Sequence, residues 1–193
     1  MSLELMSENK KVKPNKVIRS VFVDGRRVDF RYPLPGDVYE LRRVINTFVE
    51  EGTEIAKTTK VTLSEEKKWL DEVLKAIRRK EKIMLVVEEN KKLVGSCEIT
   101  RDPFDVSRHV GTLAVGIQKS IRGLGVGETL VRICLSEAKK KLGLKMIKLY
   151  VFHTNKIGRN LYEKIGFEES GRLRDGVFHN GRYKDDIIMT IRI

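Results

Sequence analysis

Residues 121–131 read IRGLGVGETLV, with glycines at 123, 125 and 127 set between Arg122 and an amphipathic run. Three alternate glycines disfavour strand and helix alike. The stretch is therefore either a tight connection or a loop whose bare backbone meets a ligand. Familiar nucleotide loops fail on spacing. A P-loop needs GxxxxGK followed by Ser or Thr, and no lysine stands at that place. A dinucleotide fingerprint needs GxGxxG, whereas these glycines run GxGxG and no acidic residue closes the next strand. What is left is physical: a glycine turn entering a helix presents several N–H groups at a positive dipole end. That suits a pyrophosphate, and Arg122 adds charge beside it.

Working outward, the segments on both sides alternate between strand and helix patterns. VIRSVFVDGRRVDFRYP (residues 17–33) reads as two strands around Asp24-Gly25. Asp37 is placed to cap a helix carrying Val38, Leu41, Ile45 and Phe48 on one face. Thr62 and Glu65 form a T-x-x-E capping box for a second helix, whose Trp69, Leu70, Val73, Leu74 and Ile77 read as core. IMLVVE and LVGSCEIT flank a polar turn, HVGTLAVGI leads into the glycine loop, and the helix after it carries Leu130, Val131, Cys134, Ala138 and Leu142. MIKLYVF, a short helix ending at Gly166, and a hairpin about Asn180-Gly181 complete the order β-β-α-α-β-β-β-α-β-α-β-β. Such an order predicts an α/β (α+β) single domain, one mixed sheet with helices on its faces. Residues 1–15 read as a mobile polar tail and 16–193 as the domain, with an extra strand or hairpin at about 17–31.

The 193 residues are 40% hydrophobic and 34% charged, as in a soluble globular domain. No apolar run reaches the roughly 20 residues of a membrane span, and the start lacks a signal-peptide core. The reading is a cytoplasmic protein with no membrane partner. Cys97 and Cys134 form no CxxC pair and read as buried thiols. His109, His153 and His179 are scattered, so no metal site is expected. The net charge of +12 favours an anionic partner or a plain lysine-rich surface. No nucleic-acid motif accompanies it, so direct nucleic-acid binding is unsupported.

The glycine loop resembles the signature of the GNAT superfamily of N-acetyltransferases, Q/R-x-x-G-x-G/A, through Arg122, Gly125 and Gly127. A second match follows one helix and one strand later. NKIGRNLYEKIGF (residues 155–167) is similar to the family's N-x-x-A-x-x-L-Y-x-K-x-G-F, with Gly158 in place of alanine. The resemblance covers about residues 28–192 and implies a mostly antiparallel sheet flanked by helices, with acetyl-coenzyme A as cosubstrate and no metal. It implies further that Arg122, Gly123, Leu124, Gly125, Val126 and Gly127 hold the pyrophosphate. The strand before the loop would splay from its neighbour, leaving the Ile117 amide facing the thioester carbonyl. Asn155 would bond the pantetheine arm, and Tyr162 would point its hydroxyl at the sulfur.

Acetyl transfer to an amine needs a proton acceptor for the ammonium, a donor for the developing oxyanion, and a proton for the leaving thiolate. The Ile117 amide is the expected oxyanion donor and Tyr162 the expected general acid, a phenol being able to re-protonate a thiolate. The base is open. Glu98 is a candidate, equally readable as a solvated carboxylate or a partner of Arg101. His109 is a weaker one, and Val110 to Ile117 holds no carboxylate, which leaves a water chain as the substitute.

Residues 166–189, GFEESGRLRDGVFHNGRYKDDIIM, look like the branch containing ribosomal-protein N-terminal-alanine acetyltransferases. Arg172, Arg174, Asp175, Tyr183, Asp185 and Asp186 fall there, as acceptor-facing groups or as ordinary hairpin surface. An α-amine titrates near neutral pH and needs less help from a base than lysine does. A protein amine is therefore the expected acceptor. A small amine such as a polyamine or antibiotic, and a non-catalytic coenzyme A-binding module, stand as alternatives. A monomer and a homodimer are equally open.

Overall fold

The computed structural model describes residues 17–193; the tail expected at 1–15 lies outside them. Eight strands form one sheet: β1 (Val17–Val23), β2 (Arg26–Arg31), β3 (Lys82–Glu89), β4 (Lys92–Arg101), β5 (Val110–Ile117), β6 (Met146–Phe152), β7 (Glu168–His179) and β8 (Arg182–Arg192). Their spatial order is β1-β2-β3-β4-β5-β6-β8-β7. Every neighbouring pair is antiparallel except β5 and β6. The expected hairpin at 17–31 is present as β1 and β2. Its turn, like those at Asn90-Lys91 and Asn180-Gly181, starts on an Asp or Asn in the left-handed region (Asp24 φ 47°, Asn90 φ 49°, Asn180 φ 51°). Asx side chains tolerate that conformation, which matches the twist of the flanking strands.

Helices α1 (Val38–Glu50) and α2 (Leu63–Arg78) cover one face, and α3 (Val126–Glu137) and α4 (Lys156–Ile165) the other. Strand β3 is buried on both faces, which is why it reads IMLVV without alternation. Met84 and Val86 pack with Val38, Leu41, Val44, Phe48, Leu70 and Val73. Ile83, Leu85 and Val87 pack with Leu130, Val131 and Cys134 of α3. Cys97 and Cys134 are free and buried.

Two local expectations are corrected. Asp37 does not cap α1. A 3-10 turn over Pro35–Asp37 already sets it in a helical conformation (φ −73°, ψ −6°), so its carboxylate looks back along the chain. It accepts from the buried Arg31 guanidinium at 2.7 and 2.8 Å and from the Leu34 amide at 2.7 Å. Trp69 is not core: it is 39% exposed. The buried stripe of α2 runs through Glu66, Leu70 and Val73, and Trp69 falls one step around the helix from it. The Thr62–Glu65 capping box forms as read, with Thr62 Oγ1 accepting from the Glu65 amide at 3.2 Å and Glu65 accepting from the Thr62 amide at 2.7 Å.

Candidate active site

The β5–β6 ladder is incomplete. It runs from Val110↔Met146 to Leu113↔Leu149 and stops, although β5 continues to Ile117 and β6 to Phe152. On its other edge β5 stays paired with β4 as far as Gly95↔Ile117, and the Gln118 amide donates to Val94 at 2.8 Å. Backbone groups alternate sides along a strand. With Gln118 turned toward β4, Ile117 and Val115 present their N–H and C=O groups to the gap. The Ile117 carbonyl is partnered by Arg122 Nε at 2.7 Å, leaving the Ile117 amide facing the opening.

Two glycines let β5 sit where it does. A Cβ on Gly95 would lie 2.6 Å from the Gly116 carbonyl oxygen, and one on Gly116 would lie 2.6 Å from the Phe48 ring. No real Cβ approaches that closely without backbone or ring displacement, so both positions fix the line of β5 as it reaches the gap.

The glycine loop then turns the chain from β5 into α3. Gly123 (φ 77°) and Gly125 (φ 76°) are left-handed, and a Cβ on either would meet nothing within 4 Å. Their glycines serve the backbone angle and leave the loop's outer surface bare. Helix α3 starts on Gly125 with no side-chain cap. By contrast, Thr62 caps α2 and Asn155 caps α4. The acidic residue in the first turn of α3, Glu128, is drawn aside by Lys164 at 2.6 Å and Arg132 at 3.0 Å. The exposed amides and positive dipole end at this loop fit an anionic pyrophosphate.

Helix α4 brings the second motif to the same gap. Asn155 follows the end of β6, its amide donating to Phe152 at 2.9 Å, and its side-chain oxygen accepts from the Gly158 amide at 2.9 Å. The Asn155 side-chain nitrogen has no protein partner among the described residues. A Cβ on Gly158 would fall 3.0–3.1 Å from the Asn155 side chain, so glycine in place of the family's alanine relieves a tight contact at this cap. Gly127 stands between β5 and α4, 3.7 Å from both Ile117 Cγ1 and Leu161 Cδ2 measured from an added Cβ. Tyr162 is 8% exposed and packs edge-on against Phe167 at 5.8 Å. Burial raises its phenol well above the ordinary value, and the nearby Cys97 thiol adds to the rise. No protein hydrogen-bond partner is found for its hydroxyl among the described residues.

The base candidates fare differently. Glu98 sits beside Ala114 of β5, on the face opposite Cys97 and Ile99, and Lys82 holds its carboxylate at 2.9 Å. Arg101 is not its partner. His109 precedes the first residue of β5, about 26 Å from Ile117 at ~3.3 Å per residue. It is at the wrong end of the strand for the gap. Sequence reasoning passed over Glu54, whose carboxylate accepts from Lys184 Nζ at 2.6 Å and from Thr154 Oγ1. Burial opposes ionisation of Glu54, yet these bonds hold its pKa below the usual carboxylate range. It ties the loop after α1 to β8 and to the turn before α4; no local motif signals a contact over 130 residues of sequence.

The profile of the acetyltransferase (GNAT) family matches residues 42–167. Residues of this chain are 28% identical over 123 positions to an uncharacterized SPbeta prophage-derived N-acetyltransferase, YokL, of Bacillus subtilis. They are 30% identical over 105 positions to a spermidine N(1)-acetyltransferase of Vibrio cholerae. These alignments cover 63% and 54% of this chain, and 66% and 60% of the relatives, so the chain spans less than two thirds of either relative's length. In structure the chain is similar to a ribosomal-protein-alanine N-acetyltransferase of Brucella melitensis. The TM-score is 0.76 at 27% identity, covering 85% of this chain and 99% of that one. A family match across well over half of the chain, on a sheet that parts where the family's motifs meet, places this protein in the acetyltransferase (GNAT) family.

Proposed function

We propose that the protein transfers the acetyl group of acetyl-coenzyme A to a primary amine by direct attack in a ternary complex. The acceptor we assign is a protein amine, an N-terminal α-amine or a lysine. One observation carries the reading: β5 loses its partner at Leu113 and delivers the free Ile117 amide into the gap just before the glycine loop opens.

In this arrangement the amides of residues 123–127 hold the pyrophosphate, with the Arg122 side chain fixing the turn through Ile117. The Asn155 side-chain nitrogen donates to the pantetheine arm. The Ile117 N–H meets the oxygen that gains charge as the amine adds to the thioester carbonyl. Tyr162 keeps its proton at rest because its site disfavours the phenolate, and it gives that proton to the departing sulfur.

The likeness to the Brucella enzyme supports a protein α-amine. The likeness to the Vibrio spermidine acetyltransferase favours a second reading, a polyamine acceptor. Purified protein given labelled acetyl-coenzyme A and a cell extract, with label traced by mass spectrometry, separates them. Label on protein amines is expected. Label confined to small molecules refutes the protein acceptor, and failure to bind coenzyme A at millimolar concentration refutes the whole reading.

A further inference from the structure

On the face of the sheet that carries α1 and α2, the helices leave part of the floor open: Ala114 of β5 is exposed and Tyr150 of β6 is 51% exposed. Charged groups surround this opening. Glu98 stands on the β4 side, Asp102 after β4, Glu54 on the loop following α1, and Lys148 on β6. Lys184 and Asp186 stand on β8.

Most of these carboxylates already hold a cation. Lys82 is 2.9 Å from Glu98, Lys184 is 2.6 Å from Glu54, and Lys148 is 3.1 Å from Asp102. Among the described residues Asp186 holds none. Its Oδ1 is buried and has no hydrogen-bond partner among them. It lies directly opposite Phe152, the last residue of β6, and opposite Leu173 of β7. Extending the β5–β6 register past Leu113↔Leu149 sets Phe152 level with Gly116, so Asp186 is one strand, ~4.8 Å, beyond the border of the gap.

The groups that face Asp186 do not neutralise it. From its own strand, Lys184 reaches away to Glu54, lying over the Phe152 ring at 5.7 Å. From β7, His179 is buried edge-on against the same ring at 5.3 Å, with its Nδ1 unpartnered, and Leu173 is apolar. From β6 the residue directly opposite is Phe152, with the Tyr150 phenol two residues back on the same face. Burial alone therefore acts on the Asp186 carboxyl and raises its pKa above the ordinary value.

We propose that Asp186 receives the ammonium of the acceptor at the mouth of the β5–β6 gap and takes one of its protons. The assignment rests on the acetyltransferase reading. It specifies an acceptor that arrives as a primary ammonium, since a half-buried carboxylate whose inner oxygen has no partner is suited to complete an ion pair with one. The balance is simple. The ammonium gives a proton to the carboxylate, and the neutral nitrogen bonds to the thioester carbon. The carbon–sulfur bond breaks, and the second nitrogen proton replaces the one that Tyr162 gives to sulfur. Asp186 keeps partial solvent exposure, so the proton it takes passes to water. The sum is one acetamide, one thiol and one released proton.

The test uses the full chain, wild type, Asp186→Asn and Asp186→Glu, with coenzyme A binding followed by calorimetry. Two probes serve as acceptors: spermidine and a decapeptide beginning with alanine. For whichever probe the wild type acetylates, Asp186→Asn should lower kcat/KM about 100-fold. It should also abolish the acidic limb of the pH profile while leaving coenzyme A affinity within about twofold. Asp186→Glu should regain part of the rate and the limb, which a merely structural role does not explain. In parallel, carboxyl-carbon NMR of the wild type should show Asp186 titrating above the ordinary aspartate position, and saturation with a bound probe should lower it. An unchanged acidic limb in Asp186→Asn overturns the assignment. So does an ordinary titration that neither probe shifts, whether or not turnover is seen. A wild type that binds no coenzyme A refutes the acetyltransferase reading itself, an outcome distinct from both.

Discussion

Replacing Gly125 separates a glycine loop that merely turns the chain from one whose backbone touches a ligand. Gly125 has φ 76° and ψ −2°, and an added Cβ would meet nothing within 4 Å. The cost of Gly125→Ala in the free protein is thus backbone strain alone, about 1–2 kcal/mol for a left-handed L-residue. In a domain of this size that lowers Tm by about 2–8 °C. Asparagine visits the left-handed region with far less strain, so Gly125→Asn should melt within about 2 °C of wild type. The two roles diverge once ligand is added. A pure turn treats asparagine as a near-equal substitute. A cradle does not, because the side chain stands where the pyrophosphate must approach the amides, and affinity should fall by at least about tenfold, ~1.4 kcal/mol. Thermal melts without ligand and calorimetry with coenzyme A give both numbers on one preparation. Wild-type affinity in a Gly125→Asn protein of wild-type stability refutes the cradle.

Tyr162→Phe should leave coenzyme A affinity within about twofold and slow turnover about 100-fold, the usual size of a lost proton donor. Stability should hardly change, because the hydroxyl has no protein partner to lose; unchanged turnover removes Tyr162 from the chemistry. Glu66 of α2 is 6% exposed, and burial pushes its pKa up from 4.5 to about 7. The folded state therefore favours the neutral acid, so the Glu66 contribution to stability is full below pH 4.5 and is lost as pH rises through about 7. Glu66→Gln should flatten that fall and raise stability at pH 8 by on the order of 2 kcal/mol, roughly 4–8 °C in Tm. Equal pH dependence of wild type and Glu66→Gln in melts from pH 4 to 8 refutes it.

Much of this molecule was legible in its sequence because the signals are local. The three tight hairpins carry Asp or Asn where the backbone turns left-handed, Thr62 and Glu65 lie three residues apart, and the unbroken IMLVV run marks a strand buried on both faces. The two stretches that resemble the family's motifs are also contiguous, each legible within one turn of backbone. Asp37 misled because capping depends on the conformation of the residue itself, which a preceding 3-10 turn altered, and Trp69 because periodicity locates a stripe only to within one residue.

The chain alone determined the elements, their order and the glycine loop, since each follows from neighbours within a few residues. Only the tertiary structure decided where β5 parts from β6 and which carboxylates keep a free charge. Ladder length depends on strands that meet after a whole helix has intervened, and the Glu54–Lys184 pair joins residues 130 apart in sequence. Asp186 carries no distinguishing signal in KDDIIM; its lone state is a property of what the fold failed to set beside it. That absence of a partner among the described residues, at a half-buried position, is what suits a common surface residue to the proposed chemical task.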